Sequence, residues 1–516
     1  MVRTLYCNGV VYLGGGDWAE AFVVEDGRFG PVGDNTLLES ESVDEKINLK
    51  GAFVCAGFND SHMHLLGYGL VLSQADLREH TESLEEMKSF LKAFLKEHPV
   101  APGQWLRGRG FNQDYFKDGA RLPSRFDLDE VSRDVPIMLT RVCGHMCVVN
   151  SKALELCGVK DHEDGRFYDN EMQLVLDKLP APTRAELKEM ILLACAKLNS
   201  CGITSVQTDD YCVFRNVKPS AINEVYRELE KVGKLTLRVT EQFNLTSLLD
   251  LQEFLASEEA ENNSEFFKIG PLKMLGDGSL GSRTAYLSKP YKGTDDRGLM
   301  LFTSGELRDM ISYANAKGRQ VIVHAIGDAC LDAVLDAFEQ ALKENPRSDH
   351  RHGIVHCQVT RADQLERIAA LGLHVFAQTV FLDYDNHIVD ELLDPELLKT
   401  SYNWKTLIGK GVSVSNGSDC PVEDPDCLKG IQLAVTRTSL DETGPYLPEE
   451  ALSVEEAVDS FTIRSAEASF EEDIKGGIKE GQLADFVILD KNPFVVPADE
   501  IHKIKVAATY LGGRKL

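Results

Sequence analysis

Short apolar runs alternate with amphipathic segments through most of this chain. Apolar, β-prone runs at 52–58, 202–207, 235–242, 269–275, 320–324, 353–356, 374–378 and 412–415 predict strands. Segments with apolar residues at helical spacing lie between most of them, at 183–199, 304–316, 329–342, 361–370 and 397–410. Thr183 with Glu186, and Ser453 with Glu456, have the spacing of capping boxes, in which each side chain satisfies a free backbone N–H of the other's turn. Eight strands separated by helices predict parallel βα units. The expected fold class is α/β, a (β/α)8 TIM-like barrel.

Two regions depart from that rhythm. Near the N-terminus, 4–12, 19–24 and 46–49 read as short strands broken by glycine and aspartate. Near the C-terminus, 481–490 and 504–516 read the same way, divided by the turn Lys491-Asn492-Pro493. Strands at both ends predict one small β-sandwich domain built from both termini. Residues 67–179 hold a helix at 83–96, a strand at 135–140 and irregular Gly-rich and aromatic stretches, which predicts a large insertion after barrel strand one. The expected division is 1–51 and 471–516 for the sandwich, 52–66 and 180–470 for the barrel, and 67–179 for the insertion.

Composition narrows the partners. The chain has 516 residues and a net charge of −27, which repels nucleic acid and anionic lipid. A small-molecule substrate is expected, with no nucleic acid and no membrane partner; a homo-oligomer stays open. Twelve cysteines without CxxC pairs predict reduced thiols. The run MVRTLYCNGVVYLGGG lacks a long apolar stretch and no apolar run reaches 18 residues, so no secretion signal or membrane span and a cytoplasmic location are expected.

The candidate chemistry begins in Gly57-Phe58-Asn59-Asp60-Ser61-His62-Met63-His64. Residues two apart in an extended chain face the same way, so His62 and His64 can present two imidazoles together. Imidazole suits zinc and its neighbours. Other polar residues stand at predicted strand ends: His324, His356 and, just past strand eight, Asp419; Lys273 lies on strand four. The C-terminal strand ends of a barrel converge on one mouth. Six such groups there are a candidate metal site. The Gly-rich run 276–281 matches neither phosphate-binding loop pattern and reads as a tight loop at that mouth.

This ordered set resembles the amidohydrolase superfamily, in which an HxH, a lysine, two histidines and an aspartate on strands one, four, five, six and eight hold one or two metals. Lys273-Met-Leu-Gly-Asp277-Gly-Ser-Leu-Gly-Ser-Arg283-Thr, the long insertion and Gly144-His145-Met-Cys-Val-Val-Asn-Ser151 are similar to the YtcJ-like branch (amidohydrolase family 3), which includes N-substituted formamide deformylase. The resemblance implies two divalent ions, zinc first, with Mn, Fe or Co as alternatives. It implies ligands His62, His64, Lys273, His324, His356 and Asp419, and N6-carboxylysine at Lys273. Paired metals ~3.5–4 Å apart would activate a water, with Asp419 as general acid and base in cleaving an amide C–N bond of an N-acyl or N-formyl compound. A lysine simply paired with Asp277 is the alternative at 273. His145 is implied as a substrate or oxyanion contact, or else is a structural histidine. Arg283 would hold a substrate carboxylate or make a loop salt bridge, and Asp277 would contact substrate or orient a ligand. A deaminase, or an esterase or lactonase, on the same barrel stays open, as does a catalytically inactive binding protein.

Overall fold

The computed structural model describes the chain except residues 1, 81, 118, 120, 143–145, 160, 161 and 215, and the side chains of 169 and 170. Two compact units result. Unit one comprises 1–65, 195–213 and 222–516; unit two comprises 66–194 and 214–221.

Unit one contains eight parallel strands in sequence order: Phe58–Met63, Ile203–Thr208, Arg238–Asn244, Phe267–Leu275, Val321–Ala325, Gly353–His356, His374–Ala377 and Val414–Asn416. Nearly every residue in them is buried, as parallel strands covered on both faces require. The register sets residues of the candidate site side by side: Asn244 pairs with Lys273, Leu275 with His324, and Ala325 with His356. The first and last strands are joined beyond the ladder, where Asp419 N donates to His62 O (2.8 Å) and His64 N to Cys420 O (2.7 Å). The result is the expected TIM-like barrel. Ser304–Ala316 is a helix opened by a Thr303–Glu306 capping box, and it packs on Asp328–Glu344.

The chain ends form a β-sandwich in the same unit. One sheet runs Arg28–Gly33, Ala21–Glu25, Thr4–Cys7, Glu45–Asn48. The other runs Arg514–Lys515, Val506–Leu511, Phe486–Leu489, Phe53–Ala56, Val10–Gly14, Asp17–Ala19. Tyr6, Phe22 and Phe29 of the first pack on Val11, Val54 and Phe486 of the second.

One expected boundary is corrected. The run 52–58 is not barrel strand one. Phe53–Ala56 pairs with Phe486–Leu489 in the sandwich, and the barrel starts at Phe58. Gly57 is the crossing point, where any Cβ would run into Thr204. Apolar content cannot tell two buried sheets apart, so the two strands read as one.

Unit two carries its own five-stranded sheet, in the order Arg166–Tyr168, Met146–Val149, Ile137–Arg141, Leu106–Phe111, Ala75–Asp76. Helix Leu84–Glu97 covers one face through Leu84, Met87 and Leu91. The expected insertion, 67–179, falls within unit two, which spans 66–194 and 214–221. Helix Arg184–Ser200 continues from unit two into unit one. No helix among the described residues is long and apolar enough to cross a membrane.

Candidate metal centre

The barrel strands deliver the histidines to one end. His62 is the penultimate residue of strand one, His64 follows that strand, His324 is penultimate in strand five, and His356 closes strand six. Ring centroids lie 5.5 Å apart for His62 and His64, 5.7 Å for His62 and His356, and 4.4 Å for His324 and His356. Asp419 stands among them in the left-handed region, φ +55°, held there by the His62 carbonyl. Its Oδ1 lies 3.3 Å from His62 Nε2 and 3.2 Å from His64 Nε2.

Each ring has one nitrogen tied to an acceptor outside the cluster, and this fixes which nitrogen faces inward. His62 Nδ1 lies 2.6 Å from Gln242 Oε1, and Gln242 Nε2 donates to Ser61 O at 2.9 Å. The amide's donor end is thus used, and its oxygen must face His62. His356 repeats the device, with Nδ1 2.7 Å from Gln378 Oε1 and Gln378 Nε2 donating to Phe376 O at 3.0 Å. His64 Nδ1 meets the Asp209 carbonyl at 2.7 Å. An acceptor on Nδ1 puts a proton there and turns Nε2 toward the centre, the orientation metal-binding imidazoles need; on His62 and His64 that Nε2 faces Asp419 Oδ1. His324 is reversed. Its Nε2 donates to Gly278 O at 3.0 Å, so Nδ1 is the free donor atom.

Electrostatics follow from burial. It pushes His62 down, aided by the Lys273 charge, and takes His324 down to about 3. His356 falls well below the usual range for the same reason, with His324 adding to it. For His64 burial acts the same way, but the Asp419 hydrogen bond outweighs it and the ring titrates well above its ordinary value. Burial opposes ionisation of Asp419, and the bonds from His62 and His64 reverse that, keeping it well below the carboxylate range. Two imidazole nitrogens converging on one carboxylate oxygen are a set of donors that a divalent cation fits. His62, His64 and Asp419 form one such group; His64, Asp209 and Cys212 form another.

Lys273 is buried, and its Nζ lies 3.9 Å from Asp209 Oδ2. Asp209, rather than Asp277, is therefore the carboxylate beside it. Strand four ends at Leu275, so the same-face alternation that would carry Lys273 to Asp277 stops short. Asp277 instead accepts backbone N–H bonds from Tyr286, Ile326 and Gly327 at 2.8–3.0 Å and lies 3.5 Å from His324 Nε2. It is buried and ties together the loops after strands four and five. Arg283 is exposed at φ +58°. His145 lies outside the described residues.

Sequence reasoning passed over Gln242, Gln378, Asp209, Asp60 and Cys212. The two glutamines had a readable signal, since each closes a predicted strand, at 235–242 and 374–378. Asp60 accepts Ser418 N and His62 N, each at 3.1 Å, tying strand eight to strand one. Burial pushes its carboxyl up to about 7. Cys212 Sγ lies 3.6 Å from His64 Nδ1.

Comparison with known proteins bears on this geometry. The amidohydrolase family profile matches residues 45–516. The chain is 32% identical to the amidohydrolase YtcJ of Bacillus subtilis, covering 99% of each. It is 25% identical to N-substituted formamide deformylase of Arthrobacter pascens, over 96% of this chain and 94% of that one. The crystal structure of an uncharacterized metal-dependent hydrolase from Pyrococcus furiosus superposes with a TM-score of 0.80 at 30% identity, over 95% of this chain and 100% of that one.

Proposed function

Because the chain belongs to the amidohydrolase family, we propose that this hydrolase cleaves a carbon–nitrogen amide bond in a small N-acyl or N-formyl compound. The observation that carries the reading is the set of four imidazoles with one nitrogen each tied to an outer acceptor, two of them turning the other nitrogen onto Asp419. Likeness to the formamide deformylase points to the bond.

His62, His64 and Asp419 would hold one divalent cation, with His324, His356 and a carboxylated Lys273 providing for a second; zinc suits these nitrogen and oxygen donors. Such a centre supplies polarisation of the substrate carbonyl and an acidified water. The protein's own part is proton handling. Asp419, kept ionised by two histidines, takes up the water's proton and passes it to the leaving nitrogen. Gln242 and Gln378 hold the Nδ1 protons of two rings, which would direct their Nε2 atoms toward a cation. Arg283, exposed in the loop after strand four, would hold a substrate carboxylate.

A second reading has its own support. The Lys273–Asp209 contact favours a charged, unmodified lysine and a single ion on His62, His64 and Asp419. That arrangement would suit deamination of a ring amine. The two readings separate by metal content per chain and by intact mass, which rises by one carbon dioxide if Lys273 is carboxylated. Function is tested on metal-quantified enzyme with formamides, N-acyl amino acids, lactones and ring amines. Amides should be turned over fastest, and Asp419→Asn should lose ~10²–10⁴-fold in kcat while retaining metal. Preference for lactones or ring amines, or full activity in Asp419→Asn, would overturn the proposal.

A further inference from the structure

Unit two contains a cavity that the barrel chemistry does not use. Strand Leu106–Phe111 lies between Ile137–Arg141 and the two-residue edge strand Ala75–Asp76. That edge strand pairs only with Gly108 and Arg109, so Leu106 and Arg107 have no strand beside them on that side among the described residues. A cavity of about 570 Å³ opens there, and all its lining residues belong to unit two. Leu72, Phe94, Trp105, Met190 and Phe214 provide apolar wall.

Arg107 lines the same cavity. Its guanidinium makes no hydrogen bond and no ion pair among the described residues. Burial pushes its basicity down to about 10, with no opposing carboxylate among the described residues. Two fully buried arginines show the contrast. Arg238 is held by Asp485 and Glu265, and Arg437 donates to the Tyr402 and Tyr446 carbonyls. A half-buried guanidinium without a protein partner among the described residues keeps its fork of donors available, and an anion entering the cavity would take them.

The rest of the wall narrows the ligand. Ser73 Oγ donates to Leu70 O at 2.8 Å, and Gln104 Nε2 to Ala181 O at 2.9 Å. The Glu186 carboxylate is taken by Thr183 N and Oγ1. Glu97 and Glu189 also line the cavity, and both are exposed. One spare cation with acidic neighbours matches a single negative charge better than a doubly charged phosphate. A carboxylate is planar and meets a guanidinium through two parallel hydrogen bonds. The volume lies in the range of ordinary small-molecule sites, ~300–1,000 Å³. We propose that this cavity binds a small monocarboxylate with an aryl or alkyl body, its carboxylate on Arg107 and its body on the apolar wall.

The test is calorimetric titration of the full-length, metal-loaded protein with 4-phenylbutyrate, octanoate, the neutral 4-phenylbutyramide and inorganic phosphate. The carboxylates should bind at one saturable site. Arg107→Met should weaken them about tenfold or more, the size of one charge-assisted contact, with the amide binding both proteins alike. Asp419→Asn should leave carboxylate binding unchanged, which separates this site from the barrel mouth. Arg107→Met removes a half-buried charge that has no partner among the described residues, so it should fold at least as stably as the parent. Independently of that variant, 4-phenylbutyrate should protect Arg107 of the unaltered protein from phenylglyoxal, read by peptide mass spectrometry. No saturable carboxylate binding, equal binding in Arg107→Met, tighter binding of phosphate, loss of binding in Asp419→Asn, or no protection of Arg107 would each overturn the proposal.

Discussion

Replacing Gln242 tests whether hydrogen bonds behind the histidines hold the site. Gln242 does two things. It accepts from His62 Nδ1 at 2.6 Å and donates to Ser61 O at 2.9 Å. Gln242→Leu removes both, while Gln242→Glu keeps an acceptor for His62 and loses only the donor. Without an acceptor the His62 proton can move to Nε2 and block the lone pair that faces Asp419. Partners of this kind are worth ~10–100-fold in metal affinity, or about 1.4–2.7 kcal/mol. Gln242→Leu should weaken divalent-metal affinity by that factor, measured by competition with a chromogenic chelator. Gln242→Glu should stay near the parent or bind more tightly, because a carboxylate makes the imidazole a better donor. Both variants strand the buried Ser61 carbonyl and should lose ~1–3 kcal/mol of stability. If the two variants lose metal affinity equally, Gln242 serves packing alone. If Gln242→Leu binds metal as tightly as the parent, the tautomer argument fails.

Three further outcomes follow from other parts of the structure. Asp385, buried and bound by Gln358 Nε2 and Tyr402 OH, has its carboxyl pushed up by burial to about 6 from an ordinary 3.8. A raised native value means stability that is full below pH ~4 and lost as pH rises through ~6. Asp385→Asn should therefore match the parent near pH 4 and exceed it by at most about 3 kcal/mol at pH 8; a melting-temperature difference that does not grow with pH would refute this. Arg238 grips Asp485 through Nε and Nη2 at 2.6 and 3.1 Å, both residues buried, so Arg238→Met should cost ~3–5 kcal/mol in chemical denaturation and Arg238→Met/Asp485→Leu should recover most of it. Gly417→Ala would place a Cβ 2.6 Å from His62 N and 2.8 Å from His62 O, so it should lower both metal loading by elemental analysis and the melting temperature together.

Much of this was legible in the chain because two periodicities were strong. The barrel strands are short apolar runs with a polar residue at the C-terminal end, and that end is where a barrel collects its chemistry. His62, His324 and His356 could be placed by that rule. The same rule pointed at Gln242 and Gln378, but a glutamine at a strand end has no chemistry of its own until a histidine from the neighbouring strand is seen against it. Asp209 was hidden for a related reason. Its role depends on a 3.9 Å approach to Lys273 from another strand, whereas Asp277 looked closer in sequence. The start of the barrel was misread because Phe53–Ala56 and Phe58–Met63 are both fully buried, and only pairing distinguishes them. Strand Leu106–Phe111 escaped notice because glycines occupy alternate positions, leaving its pattern without side chains.

The site and the closure of the barrel are made of the same atoms. Asp419 N holds His62 O, His64 N holds Cys420 O, and Asp60 holds both Ser418 N and His62 N. Strands one and eight are tied by hydrogen bonds where the candidate ligands sit, so whatever pulls His62, His64 and Asp419 toward a cation also pulls the first and last strands together. Loss of metal should then loosen the seam between these strands ahead of the rest of the barrel. This also separates two classes of substitution. Changes at Asp60 or Gly417 strike the backbone seam and must affect fold and metal together. Changes at Gln242 and Gln378 lie behind the rings, outside the seam, and can weaken the metal through the imidazole tautomer while the strands stay joined. The contrast between Gln242→Leu and Gly417→Ala therefore tells whether the ligands are held in place by the closure, by their hydrogen-bonded glutamines, or by both.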